Sequence, residues 1–153
     1  MSPRSLFLLI FCAVALLAAP ALGQEYSEAG NPWTHLTVQG VPVTAEVVST
    51  PEKLYLGLGQ RQALPEGRGM LFVIPELGRQ AFCMRDMHFS IDIIWIADRK
   101  VAGIHPKLSP SDQGTFFSPV PVRLVLEVPG GFAQRHGIKV GDPVALRLQP
   151  APK

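Results

Sequence analysis

Along most of the chain, apolar residues fall in short runs that alternate with polar positions, and Gly or Pro ends nearly every run. A period of two with such frequent punctuation predicts strands. Residues 35–38 and 41–48 form a first pair across a tight Gln39-Gly40 turn, with Val43, Ala45 and Val47 alternating with Thr44, Glu46 and Val48. Further strands are predicted at 70–74, 80–84, 91–97, 101–105, 122–128 and 144–148. Asp98-Arg99-Lys100 is a charged link between two apolar, β-rich runs, which marks a hairpin. Two short helices interrupt the series. Thr50 can cap the first, Pro51 suits its first turn and Glu52 faces the positive end of the dipole. Leu54 and Leu58, four apart, share its core side. Gly57 and Gly59 weaken it, so its end is expected near Arg61. The second is about one turn at 132–136, closed by Gly137 in the left-handed conformation. The segment 107–119 is too long for an ordinary connection and predicts a lid or binding loop around a buried Phe116-Phe117.

Seven or eight short strands and two short helices predict a mainly β domain with a minor α component. The expected architecture is a small, mainly antiparallel β-barrel or sandwich over residues 35–149, because closure removes exposed edges. A loose polar arm at 24–34 precedes it, and a disordered tail at 150–153 follows.

The first 23 residues fall outside this pattern. Arg4 provides a small positive region, an uncharged apolar run follows, and Ala21 and Gly23 place small residues before Gln24. This predicts a cleaved signal peptide and a periplasmic or secreted protein. Removing 23 of 153 residues leaves 130, enough for a core without staples. Loss of Arg4 leaves 13 basic against 12 acidic side chains, with no electrostatic footprint for nucleic acid. Cys83 is the only cysteine left, which excludes an internal disulfide. It reads as a buried apolar residue, since nothing beside it activates a thiolate.

Familiar catalytic signatures are missing from the sequence: there is no His-Glu-x-x-His, no Cys-x-x-Cys, no Gly-x-Ser-x-Gly and no phosphate-binding glycine loop. His35, His88, His105 and His136 lack ligand spacing, so neither a metal nor a cofactor is expected. The densest stretch, 69–105, is apolar except for a polar knot at Met84-Arg85-Asp86. Strand parity places Gln80, Phe82 and Met84 on one face and Ala81, Cys83 and Arg85 on the other. It likewise separates Ile91, Ile93 and Trp95 from Asp92, Ile94 and Ile96. Asp92 therefore sits in an apolar setting and needs a partner, either an arginine (Arg85, Arg79 or Arg61) or loop amides. With either partner its structural role is to tie down the turn after Met84; its functional alternative is an acid in a pocket with a perturbed pKa. Arg85, flanked by Met84 and near Phe82, suits either a clamp for a small carboxylate or phosphate or an ion pair with Asp86 or Asp92.

Four segments carry a resemblance. They are Thr50-Pro51-Glu52 with Gly57-Leu58 and Arg61; Gly69-Met70-Leu71-Phe72-Val73; Phe82-Cys83-Met84-Arg85-Asp86 with Ile91-Asp92-Ile93-Ile94; and Leu126-Glu127-Val128-Pro129 with Gly137-Ile138-Lys139-Val140-Gly141-Asp142. Together they resemble a bacterial family known as domain of unknown function 192, or DUF192, over about 41–148. The resemblance implies a small β-rich fold, often exported, and no established activity. Where the family resembles Phe-Trp-Met-Lys-Asn, this chain has Cys83, Arg85 and Asp86, and the family's Met near Gly59-Gln60 is also replaced. Any pocket here has a different wall and charge.

Three functions are consistent with these observations. The first is a non-catalytic, monomeric binding domain for a small anion or peptide, with candidate residues Arg61, Arg79, Phe82, Met84, Arg85, Asp86, Asp92 and His105. The second is a hydrolase or lyase using an Asp–Arg pair and His105. The third is a structural domain peripherally associated with the cell envelope.

Overall fold

A computed structural model describes residues 24–146. The expected leader (1–23) and tail (150–153), and the end of the predicted last strand, lie outside the described residues. The elements run Trp33–Val38 (β1), Val41–Val48 (β2), Pro51–Leu56 (α1), Arg68–Gly78 (β3), Ala81–Phe82 (β4), Ile91–Ala97 (β5), Lys100–Leu108 (β6), Phe116–Phe117 (β7), Val122–Pro129 (β8), Phe132–Arg135 (α2) and Val144–Leu146 (β9). Seven strands form one sheet in the order β6-β5-β8-β3-β2-β1-β9, and β4 pairs with β7 in a small second sheet. All neighbours are antiparallel except β2 and β3, which run parallel because α1 carries the chain across between them. The large sheet curls until its edges touch at one end, where Lys100 bridges Pro143 and the Val144 N–H donates to the Arg99 carbonyl. The mainly β expectation holds, with a curled, half-barrel sheet in place of a sandwich.

Two predicted hairpins are built by paired left-handed residues. Gln39 and Gly40 have φ of 52° and 76°, and Asp98 and Arg99 have 49° and 58°. Two positive φ values match the strand twist, so the second hairpin link is two residues long rather than three. Strand β3 runs past Pro75, which was expected to end it. Its pairing with β8 is interrupted between Val73 and Gly78, and that is where a residue without an N–H can sit. Helix α1 stops at Leu56, five residues short of Arg61, because Gly57 turns left-handed at φ 53°. Thr50 occupies the cap position without a side-chain cap bond. The arm is anchored: Asn31 and Ser27 both donate to Glu46, and strand β1 begins at Trp33.

Both faces of the sheet are buried. Inside the curl lie Leu36, Val43, Leu71, Ile94, Leu126, Val128 and Val144, closed by Phe132 and Ala133 of α2. On the outer face Met70, Phe72, Ile93, Trp95 and Val125 are covered by Leu58, Met84, Phe82 and Phe116. The parity predicted for β5 is therefore correct: Ile91, Ile93 and Trp95 face outward, and Ile94 and Ile96 inward. Beneath β4 and β7, Phe72, Phe82, Trp95 and His105 stack edge to face with centroids 4.9, 5.4 and 5.8 Å apart. Each such pair adds roughly 0.5–1.5 kcal/mol beyond area burial. The 107–119 segment is held down by this stack through Phe116. Phe117 is 57% exposed, against the expectation that both phenylalanines are buried. A one-residue alternation on a two-residue strand gives only one of them to the core.

Asp92 is fully buried on the inner side, where its Oδ1 accepts the N–H groups of Lys107 and Gly131 and its Oδ2 accepts that of Ala133, at 2.7, 2.7 and 2.8 Å. Of the partners expected, loop amides are correct and the arginines are not. The segment it ties down is the start of α2 rather than the turn after Met84. Gly131 has no side chain to cap α2, so a carboxylate from the adjacent strand does that work across the fold.

Replacing Asp92 by Asn keeps the shape but turns an N–H₂ toward an N–H donor, and replacement by Ala leaves the buried Gly131 and Ala133 donors, and the part-buried Lys107 donor, without their acceptor. Asp92→Ala is expected to cost on the order of 3–5 kcal/mol in urea unfolding. Asp92→Asn should lose about half as much.

Candidate functional site

The outer face of the large sheet carries a polar row inside its apolar layer. Pairing places Trp33, Glu46, Met70, Glu127, Ile93 and His105 side by side across β1, β2, β3, β8, β5 and β6. Directly paired residues share a face, and strands are about 4.8 Å apart. Glu127 thus lies roughly 10 Å from Glu46 on one side and from His105 on the other.

The two flanking groups are satisfied. Glu46 forms a two-pronged ion pair with Arg61 and also accepts from Ser27 and Asn31. Burial pushes its carboxyl upward, but the Arg61, Asn31 and Ser27 hydrogen bonds outweigh this and hold it below the ordinary value of 4.5. His105 Nδ1 accepts the Trp95 Nε1–H at 2.8 Å. An indole N–H only donates, so the imidazole is neutral with its proton on Nε2. Burial lowers its pKa in the same sense.

Glu127 differs from both. It is 5% exposed, and no donor or acceptor among the described residues reaches its carboxyl. Burial alone raises its pKa to about 8. The group opens onto a cavity of about 240 Å³ between the end of α1 and β4. Phe72, Phe82, Leu54, Leu58 and Met87 form apolar walls, with Tyr55, Cys83 and Arg85 also lining it. Arg85 marks the mouth: its guanidinium lies 3.8 Å from the Tyr55 ring centre and donates to the Tyr55 carbonyl at 2.9 Å.

Two glycines make the cavity. A Cβ at Gly57, already at φ 53°, would press on the Phe72 ring at 3.2 Å. One at Gly59 would sit 2.9 Å from the Leu56 carbonyl and 3.4 Å from that of Arg85. The turn after α1 can therefore approach the Arg85 loop closely. A hydrogen bond from the Gln60 N–H to the Asp86 carbonyl, with Asp86 at φ 56°, fixes that approach.

Of the residues singled out from sequence, Phe82 and Arg85 line this pocket. Arg61 is engaged with Glu46, and Arg79 donates to the Ser118 carbonyl. Met84 is buried in the outer core. Asp86 shapes the turn beside the pocket, Asp92 lies on the opposite face, and His105 is in the polar row behind Trp95. The Asp92–Arg85 pair is not formed. Cys83, expected to be buried, is exposed at the pocket, because its strand parity points it away from Met84. Glu127 was missed. Its only sequence signal was an acid in the apolar run Leu124-Val125-Leu126-Glu127-Val128, in phase with Arg123 and so easily taken as solvent-facing.

The family profile of DUF192, described as an uncharacterised ACR family, matches residues 34–146. The chain belongs to the DUF192 family. Its match covers every element that builds the pocket. No curated protein matches the chain. A crystal structure of a protein of unknown function from Novosphingobium aromaticivorans DSM 12444 is 31% identical, with a TM-score of 0.75, covering 81% of this chain and 93% of that one. A second, of a candidate transcription regulator from Sinorhizobium meliloti 1021, is 25% identical with a TM-score of 0.72, covering 76% and 95%. This DUF192 chain thus shares its fold with proteins whose descriptions assign no chemistry.

The proton on Glu127 leaves a signature in stability. The folded protein keeps it up to about pH 8, whereas the unfolded chain releases it near 4.5. Its stabilising contribution is therefore complete below pH 4.5 and is lost as pH rises through 8, at up to about 1.4 kcal/mol per pH unit. Glu127→Gln should match the wild type in acid and become progressively more stable than it toward pH 8, as followed by thermal unfolding across that range.

Proposed function

We propose that this DUF192 protein is an exported, non-catalytic binding domain that takes a small ligand in the Glu127 pocket. One observation carries this reading: a buried carboxyl with no partner among the described residues faces a cavity the chain has kept open. Buried polar groups are nearly always satisfied, and an orphan at a cavity wall is commonly satisfied by something that binds there. The cavity's apolar walls and single deep polar group match the usual anatomy of small-ligand sites. Arg85 at the mouth, which already donates to the Tyr55 carbonyl, has further guanidinium N–H groups to offer an anionic or amide group. Export rests on the 1–23 leader pattern.

Catalysis is the second reading. An acid that keeps its proton near neutral pH is suited to proton transfer, as a hydrolase or lyase would require. Glu127 then replaces the Asp–Arg pair as the reacting group. The binding reading is preferred because, although Cys83 and Tyr55 line the same cavity, no described side chain is hydrogen-bonded to Glu127 as a nucleophile–base pair would be, and the nearest polar neighbours along its row, Glu46 and His105, are already engaged. Among the described residues the helices are six and four residues long, too short to read a DNA groove.

A thermal-shift screen against small anions, amines, sugars and peptides tests binding. A true ligand at a hundredfold excess over Kd stabilises by about 2.7 kcal/mol. The shift should shrink with Phe82→Ala or Arg85→Ala; a hit indifferent to both places the site elsewhere. For export, protein recovered from the periplasm or medium should begin near Gln24 by mass spectrometry, and an intact chain starting at Met1 contradicts it.

A further inference from the structure

Resting on the pocket assigned above, we propose that the inner end of the ligand is an ammonium group: a small amine seated on Glu127, its apolar part between Phe72 and Phe82 and its outer end beside Arg85. A purely apolar ligand would seal the Glu127 carboxyl from water without giving it a partner. An anion would face an acid that can only become negative. A neutral acceptor could take one hydrogen bond from the protonated acid but leaves the second oxygen unused. Of these, an ammonium group supplies several donors and a charge, converting the contact to a charge-assisted hydrogen bond, which is the stronger kind.

The walls agree with this choice. Phe72 and Phe82 meet edge to face at 80°, and aromatic rings attract a desolvated cation. The elements packed against Glu127 bring only apolar neighbours from β3 and β5 (Met70, Phe72 and Ile93). Among pocket-lining side chains Tyr55, Cys83 and Arg85 are the other titratable groups. Arg85 is exposed and stacked on Tyr55, so solvent screens its repulsion toward a cation on the buried acid. Along the row, Glu46 is matched by Arg61 and His105 is occupied by Trp95, so neither offers the amine a competing seat.

Below about pH 8 the amine arrives as an ammonium ion, Glu127 gives up its proton to solvent, and the complex holds an ammonium–carboxylate pair. Affinity for an amine therefore rises with pH up to the Glu127 pKa. Binding of a neutral acceptor, which needs the protonated acid, does not.

Titrations of the ¹⁵N-labelled protein with benzylamine and with its neutral analogue benzyl alcohol, between about pH 6 and 8, separate the cases. Benzylamine should shift the amide signals of Phe72, Phe82 and Glu127 and tighten by up to about tenfold per pH unit. Benzyl alcohol should bind more weakly and without that rise, and Glu127→Gln should remove the pH dependence and the preference for the amine. Benzyl alcohol binding there as tightly as benzylamine at every pH overturns the ammonium assignment and leaves the pocket standing. No shift at these residues with either compound overturns the pocket itself. If Glu127→Gln fails to fold, the pH dependence of the unaltered protein decides.

Discussion

Three backbone N–H groups converging on the Asp92 carboxylate hold the fold together. Lys107 belongs to β6, Gly131 and Ala133 to the turn and helix after β8, and Asp92 to the strand between them. The inner core can close only if α2 lies flat across the curl, and α2 is a single turn with no cap of its own. A buried carboxylate is tolerated there because every bond it needs is made by backbone. The same three bonds fix β5 in place between β6 and β8.

On the opposite face of the same two strands the rule is broken. Asp92 pairs in register with Val128, one residue from Glu127, so a saturated acid and an unsatisfied one are diagonal neighbours on opposite sides of the sheet. One belongs to structure and has no room for a ligand. The other sits where α1 ends early and the chain leaves a gap. The turn at Gly57 and Gly59, the Arg85 loop and the β4–β7 flap surround that gap and give it a shape. Consistency at every level except one is the pattern expected of a functional site in a protein otherwise fully specified.

Much of this was legible in the sequence. Alternation in 41–48, the continuous apolar run 91–97 and the Gln39-Gly40 and Asp98-Arg99 turns are local signals, and they gave the hairpins and the two-sided burial of β5. Asp92 was identified as needing a partner because its setting is set by its own strand. Glu127 was not, because its burial is decided elsewhere: by β8 lying mid-sheet, by the parallel β2–β3 step, and by a flap 116–117 packing through a single Phe. Arg123, four residues away on the same parity, is exposed, so the pattern along β8 reads as a solvent face until the covering elements are in place. Cys83 failed for a related reason: β4 is only two residues long, and what lies outside it is a pocket mouth.

The chemistry of the pocket turns on whether Glu127 keeps its proton in the folded protein. Carboxyl ¹³C NMR of glutamate-labelled protein, with Glu127→Gln to assign the signal, measures this directly. The structure predicts one glutamate titrating at about pH 8 while Glu46 and Glu66 titrate below 4.5. A Glu127 signal that titrates in the ordinary carboxylate range would mean that the acid is hydrated or paired, and the pocket would lose its central group.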